Sequence, residues 1–157
     1  MYRTFDIGKI EIREVELISM RADELLKMAY QARKNAYAPY SGFTVGAALL
    51  SKSGKIYTGC NIENASYGAS NCAERTAFFK AVSEGEREFD AIAVAGGAGE
   101  ERECAACAPC GICRQVMTEF CNPETFQIYL DAGAGQVTSY LLKDLLPAGF
   151  GAGNLKK

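Results

Sequence analysis

The chain contains no histidine. That absence removes Ser-His-Asp and Cys-His catalysis, and with them any imidazole-held metal. A general base must then be a carboxylate, a lysine or a tyrosine. A soft-metal site must rest on cysteine, with carboxylate help at most. Long apolar runs are missing as well. The longest, such as Val45 to Leu50, are far too short to span a bilayer. Charges interrupt the N-terminus from Lys9 onward, so no signal-peptide core is expected. There is no basic block either, and the formal net charge is −2. Phosphate binding needs clustered Lys and Arg. The expectation is a cytoplasmic protein with neither nucleic-acid nor membrane partners.

What is present is ordinary in bulk and unusual in one count. With 157 residues, 48% of them apolar and 23% charged, the chain suits one soluble domain with a real core. Cysteine is the unusual count, at seven. An odd number in a chain read as cytosolic argues against a disulfide framework and for metal or thiol chemistry.

Periodicity orders the elements. Residues 1–20 read as an extension, an edge strand or arm in which Ile10, Ile12, Val15 and Leu17 nearly alternate with charges, with a register break at Arg13-Glu14. Ala22, Leu25, Leu26, Ala29, Ala32 and Ala36 then predict a helix over Arg21–Tyr37, ended by Pro39. Phe43–Leu50 and Lys55–Ile62 read as a hairpin, and 64–71 as a polar loop. Helices are expected over Cys72–Ser83 and Cys110–Phe120. Strands are expected over Phe89–Ala95, Thr125–Leu130 and Val137–Leu142, with 96–109 a small-residue loop and a helical piece at Lys143–Leu146. The fold class is α/β: a three-layer α/β/α domain around a five-stranded mixed sheet. The last two strands are too close in sequence for a crossover, so they must be antiparallel.

Two segments carry chemistry. Cys72-Ala73-Glu74 opens one predicted helix, and Pro109-Cys110-Gly111-Ile112-Cys113 opens another. Cys110 and Cys113 are three apart and share a helix face. Helix N-termini favour thiolate over thiol. Three thiolates leave zinc one open position, the arrangement of a catalytic rather than a structural site. In the first turn of its helix, Glu74 can point at the same metal as Cys72.

These segments, with Tyr40-Ser41-Gly42-Phe43-Thr44-Val45-Gly46-Ala47-Ala48, Gly59-Cys60-Asn61-Ile62-Glu63-Asn64-Ala65-Ser66-Tyr67, Arg75-Thr76-Ala77 and Arg114-Gln115, resemble the homotetrameric zinc-dependent cytidine deaminases over about residues 22–150. The resemblance implies hydrolysis of cytidine or deoxycytidine to the uridine product plus ammonia, in pyrimidine salvage. It makes 21–157 the catalytic domain. It implies one zinc per chain, held by Cys72, Cys110 and Cys113 with water as fourth ligand, and Glu74 as the proton carrier. Asn61 and Glu63 would bond the ribose hydroxyls. Phe43 would pack beside the nucleoside, and the Ala73 backbone would read the pyrimidine edge. Phe150 would reach a neighbouring subunit's site in a homotetramer, on a Gly-rich arm that is mobile in an isolated chain. Three thiolates leave the zinc site at −1, and Arg75 is the expected compensating cation.

Cys104, Cys107 and Ala108 depart from the family pattern. Cys104, Cys107, Cys110 and Cys113 also form a run close to an iron–sulfur motif. Its last spacing is two rather than three, Arg114 stands where a proline is expected, and Cys72-Ala73-Glu74 would go unexplained. A blasticidin-type deaminase and a non-enzymatic zinc module are the remaining alternatives. Cys60 and Cys121 read as core.

Overall fold

The structure is a computed structural model that describes residues 4–7, 10–98, 106–133 and 135–155, with side chains described from residue 18 onward. Its centre is a five-stranded sheet made of β3 (Phe43–Ser51), β4 (Ile56–Cys60), β5 (Phe89–Ala98), β6 (Gln127–Gly133) and β7 (Gln136–Leu141). The order across the sheet is β4-β3-β5-β6-β7. Only β5 and β6 pair in parallel; the other neighbours are antiparallel, β6 and β7 among them. Ahead of the sheet, β1 (Thr4–Ile7) and β2 (Ile10–Arg13) pair with each other.

Helices cover both faces. Helix α1 (Glu14–Arg33) lays Ala22, Leu25, Leu26 and Ala29 over Ala48, Leu50, Ala91, Ala93, Ala95 and Tyr129. The opposite face takes α2 (Ala73–Ser83) and α3 (Gly111–Phe120). Ala73, Ala77, Phe78, Ala81, Cys113 and Met117 meet Val45, Ala47, Leu49, Ile92, Val94, Ile128 and Leu130 there. Successive strand residues face opposite sides. Hence β5 offers alanines to α1 and Ile92 and Val94 to the other helices.

Small residues let the helices approach closely. A Cβ on Gly46 would sit 2.0 Å from the Ala29 carbonyl oxygen of α1. A Cβ on Gly59 would sit 2.5 Å from both the Ala73 carbonyl oxygen and the Ala77 nitrogen of α2. An aromatic cluster then fixes α2 against α3. Phe78 lies 5.1 Å from Phe89 and 6.2 Å from both Phe120 and Phe126, ring centre to ring centre. Buried rings of this size are worth about 1.5–3 kcal/mol each in transfer alone, with some gain from ring geometry. These rings pack the middle of α2 against the last residue of α3.

Several boundaries differ from the sequence reading. Helix α1 begins at Glu14, not Arg21; the register break at Arg13-Glu14 is where strand gives way to helix. It ends at Arg33 rather than Tyr37, because the Tyr37 backbone bonds Asn61 and Glu63 instead. Strand β5 runs to Ala98 rather than Ala95, because Gly96, Gly97 and Ala98 pair with Val45, Thr44 and Phe43. Strand β6 continues through Asp131 to Gly133, where turn was expected. The final helical piece, α4 (Leu142–Leu145), starts one residue early.

Candidate active site

Cys72 and Cys110 occupy equivalent places. Each is the residue just before its helix, with extended backbone, ψ 156° and 167°, and neither side chain caps its own helix. Both sulfurs therefore remain available to each other. Cys72 Sγ lies 3.8 Å from Cys110 Sγ, and Cys110 Sγ lies 3.6 Å from Cys113 Sγ. All three sulfurs fall within 4.8 Å of one another. Cys113, one turn into α3, is buried; Cys72 is half-buried and Cys110 exposed. The cluster thus has its floor at Cys113 and its open side at Cys110.

Charge at the cluster is already divided. The Cys72 thiol is drawn down to about 5, chiefly because Cys113 donates to it, with Arg75 helping against the effect of burial. Cys113 is pushed up by the same bond and by burial. A metal held by Cys113 would have to displace its proton. Arg75 Nη2 stands 3.3 Å from Cys72 Sγ, and its guanidinium interacts with Cys113 as well. Glu74 is 4% exposed. Burial pushes its carboxyl up to about 7, and the neighbouring Cys72 charge adds to the rise. A carboxyl so placed can both accept and return a proton near neutral pH.

The substrate-side candidates are built differently. Phe43 opens β3 and is 41% exposed. Asn61 follows β4, and its amide splints β3: Oδ1 accepts the Val45 N–H at 2.8 Å, and Nδ2 donates to the Phe43 carbonyl at 2.8 Å. One amide hydrogen is left for another acceptor. The Glu63 carboxylate accepts N–H bonds from Tyr40 at 2.9 Å and Ser41 at 3.2 Å, and the Ser41 hydroxyl as well. That hydroxyl, then the two amides, hold Glu63 below the usual carboxylate range. Ala73 is the first residue of α2 and fully buried, where first-turn N–H groups lack helical partners. Phe150 is 57% exposed, so its ring does not cap its own core. Its carbonyl accepts Gln115 Nε2 at 2.8 Å, so the expected free arm is tied to α3.

The family model described as "Cytidine and deoxycytidylate deaminase zinc-binding region" matches residues 20–129. The chain belongs to this family. It is 53% identical over 128 residues to a cytidine deaminase of Halalkalibacterium halodurans, covering 82% of this chain and 92% of that protein. A crystal structure of cytidine deaminase from Burkholderia pseudomallei superposes with TM-score 0.73 at 50% identity, covering 81% of this chain and 97% of that one. A blasticidin-S deaminase of Bacillus cereus is 30% identical over 148 residues, covering 92% of this chain and 95% of that protein.

The residues present fit the zinc of this family. Three convergent sulfurs are a soft donor set, three ligands leave a position free, and a guanidinium offsets the surplus negative charge. Cys107 is placed elsewhere, with its Sγ 2.8 Å from where a Gly96 Cβ would lie. Cys104 lies outside the described residues. Among the described residues the converging sulfurs include Cys72 and exclude Cys107, an arrangement unlike the iron–sulfur run.

Two supporting residues went unnoticed in the sequence. Ser41 bridges Glu63 and the Phe43 N–H, which it accepts at 3.0 Å. Thr76 Oγ1 donates to the Cys72 carbonyl and accepts from Asn71, both at 3.1 Å, fixing the start of α2. A hydroxyl residue four after the first cysteine was the available signal for Thr76. Only the fold reveals Ser41.

Proposed function

We propose that the protein hydrolyses cytidine and deoxycytidine to the corresponding uridine and ammonia, with Glu74 as the proton carrier. The observation that carries this reading is Glu74, a buried carboxyl beside three converged thiols with one side open. Zinc held by Cys72, Cys110 and Cys113 supplies Lewis-acid activation of water. Glu74 takes the proton that water loses as it adds at C4 of the base. Glu74 gives that proton to N3, then takes the proton of the hydroxyl now on C4 and passes it to the amine as the C4–N bond breaks, so that C4 becomes a carbonyl and water in balances ammonia out. Arg75 keeps the sulfurs from quenching the metal's charge. Asn61, through its remaining amide hydrogen, and Glu63, through its free lone pairs, meet the ribose hydroxyls. Phe43 walls the pocket, and the Ala73 backbone reads the base edge.

Residues 21–157 form the catalytic domain. Tyr37, Tyr40, Phe43, Ile62, Tyr67 and Phe150 are all large apolar residues left exposed, and exposed apolar surface on this scale favours a partner. The partner we propose is further copies of this chain in a homotetramer, with Phe150 entering a neighbour's site. Cys60, Cys72, Cys110, Cys113 and Cys121 are free of disulfides, as a reducing cytoplasm keeps them. No helix among the described residues is long and apolar enough to cross a membrane. The setting is pyrimidine salvage.

The test is a substrate panel of cytidine, deoxycytidine, cytidine monophosphate and blasticidin S, followed by ammonia release. The nucleosides should turn over and the nucleotide should not. Turnover of blasticidin S alone would move the assignment to the blasticidin-type deaminases.

A further inference from the structure

Arg114 directly follows the ligand Cys113, yet its guanidinium bonds two backbone carbonyls rather than the sulfurs. Arg114 Nε donates to the Pro109 carbonyl at 2.7 Å, and Nη1 donates to the Leu145 carbonyl at 2.6 Å. Pro109 is fully buried and immediately precedes Cys110. Leu145 is the last residue of α4. Nearby contacts continue along the same flank of α3. Gln115 Nε2 holds the Phe150 carbonyl, and the Thr118 methyl lies 3.1 Å from where a Gly151 Cβ would be. Cys110 is the exposed ligand, and its sulfur meets those of Cys72 and Cys113. Its position therefore depends on the peptide that enters it, and the Pro109 carbonyl belongs to that peptide.

We propose that Arg114 is a positioning residue that braces the metal loop against the C-terminal segment, so that retention of the metal depends on the Arg114 bridge from Pro109 to Leu145. The inference rests on the zinc reading of Cys72, Cys110 and Cys113. A guanidinium suits this place because its rigid fork reaches two acceptors at once; a lysine ammonium on a flexible stem does not reproduce that geometry.

The experiment follows zinc release to a chromogenic chelator, well below the melting temperature, for the wild type, Arg114→Lys, Arg114→Gln and Gln115→Ala. Supporting contacts of this kind typically change metal affinity by about 10–100-fold. Both Arg114 variants should therefore release zinc about tenfold faster or more. Gln115→Ala removes a bond to the same segment but none to the metal loop, and should release at the wild-type rate. Melting of the metal-free proteins separates a brace from a general fold contact: the Arg114 effect should persist where metal-free melting is unchanged. Wild-type release rates in the Arg114 variants would overturn the proposal. So would loss of folding in both, which would place Arg114 in the core's stability instead. A wild-type protein that takes up no zinc would overturn the zinc reading itself, a separate and distinguishable failure.

Discussion

Glu74 is 4% exposed and Phe150 is 57% exposed, yet our reading gives both a part in an active site, Phe150 in a neighbouring subunit's. The floor of that site, Glu74 with Cys72, Cys110, Cys113 and Arg75, is complete within one chain. Two helix starts position it, with Cys72 Sγ 3.8 Å from Cys110 Sγ. The rim, with Phe43, Asn61, Glu63 and Phe150, is solvent-facing and partly committed elsewhere. Asn61 splints β3, and Glu63 caps the turn at Tyr40 and Ser41. The difference separates two tasks. Chemistry needs preorganised, water-poor surroundings that one core can supply. Substrate capture needs groups that stay open until the ligand, and in our reading a neighbouring subunit, completes them.

The largest expected effect falls on the floor. Glu74→Gln keeps the shape but cannot accept a proton. Turnover should drop by about 10²–10⁴-fold or more, with zinc content and melting close to wild type. Steady-state kinetics beside metal analysis reads this directly. Retention of most of the wild-type kcat would remove Glu74 from the chemistry.

Next come the two glycines on which helices rest. A methyl at Gly59 meets α2 backbone at 2.5 Å, and a methyl at Gly46 meets α1 backbone at 2.0 Å. Overpacking costs about 1–3 kcal/mol or more, so both Gly59→Ala and Gly46→Ala should lower the denaturant midpoint. Only Gly59→Ala moves the helix that begins at Cys72, so only it should weaken zinc retention at matched stability. Equal zinc loss in the two variants would mean that the metal centre merely reports global stability.

The smallest effect is expected at the rim. Phe150→Ala should raise KM for cytidine several-fold while shifting melting by no more than a surface substitution does, within about 0.5 kcal/mol. A variant that melts early but keeps its KM would show that the ring serves its own subunit's fold.

The same floor-and-rim contrast governs what could be read in advance. The metal centre is encoded at short range. Cys110 and Cys113 share a helix face, Cys72 and Glu74 share a helix start, and Pro109 marks the second start. Each signal spans a few residues, so the floor was legible, including Arg75. The five strands, the first hairpin, the crossovers and the antiparallel last pair followed from alternating helix and strand patterns; the order β4-β3-β5-β6-β7 across the sheet did not. What escaped needed tertiary contacts. Gly96, Gly97 and Ala98 offer no side-chain pattern, and only pairing with β3 makes them strand. The commitment of Asn61 and Glu63 to backbone partners, the Ser41 bridge and the reach of Arg114 to Leu145 all join segments that lie apart in sequence. Helix α1 was read seven residues short at its start because charge alternation in 9–13 extended the strand reading past Glu14.

In our reading three cysteines and one buried carboxyl form a zinc deaminase centre. Zinc content measured together with loss of the cytidine absorbance band, before and after chelation, tests it most directly. About one zinc per chain is expected, with turnover that disappears on chelation and returns with added zinc. A protein that holds iron and labile sulfide, or one that converts cytidine equally well with no metal bound, would contradict it.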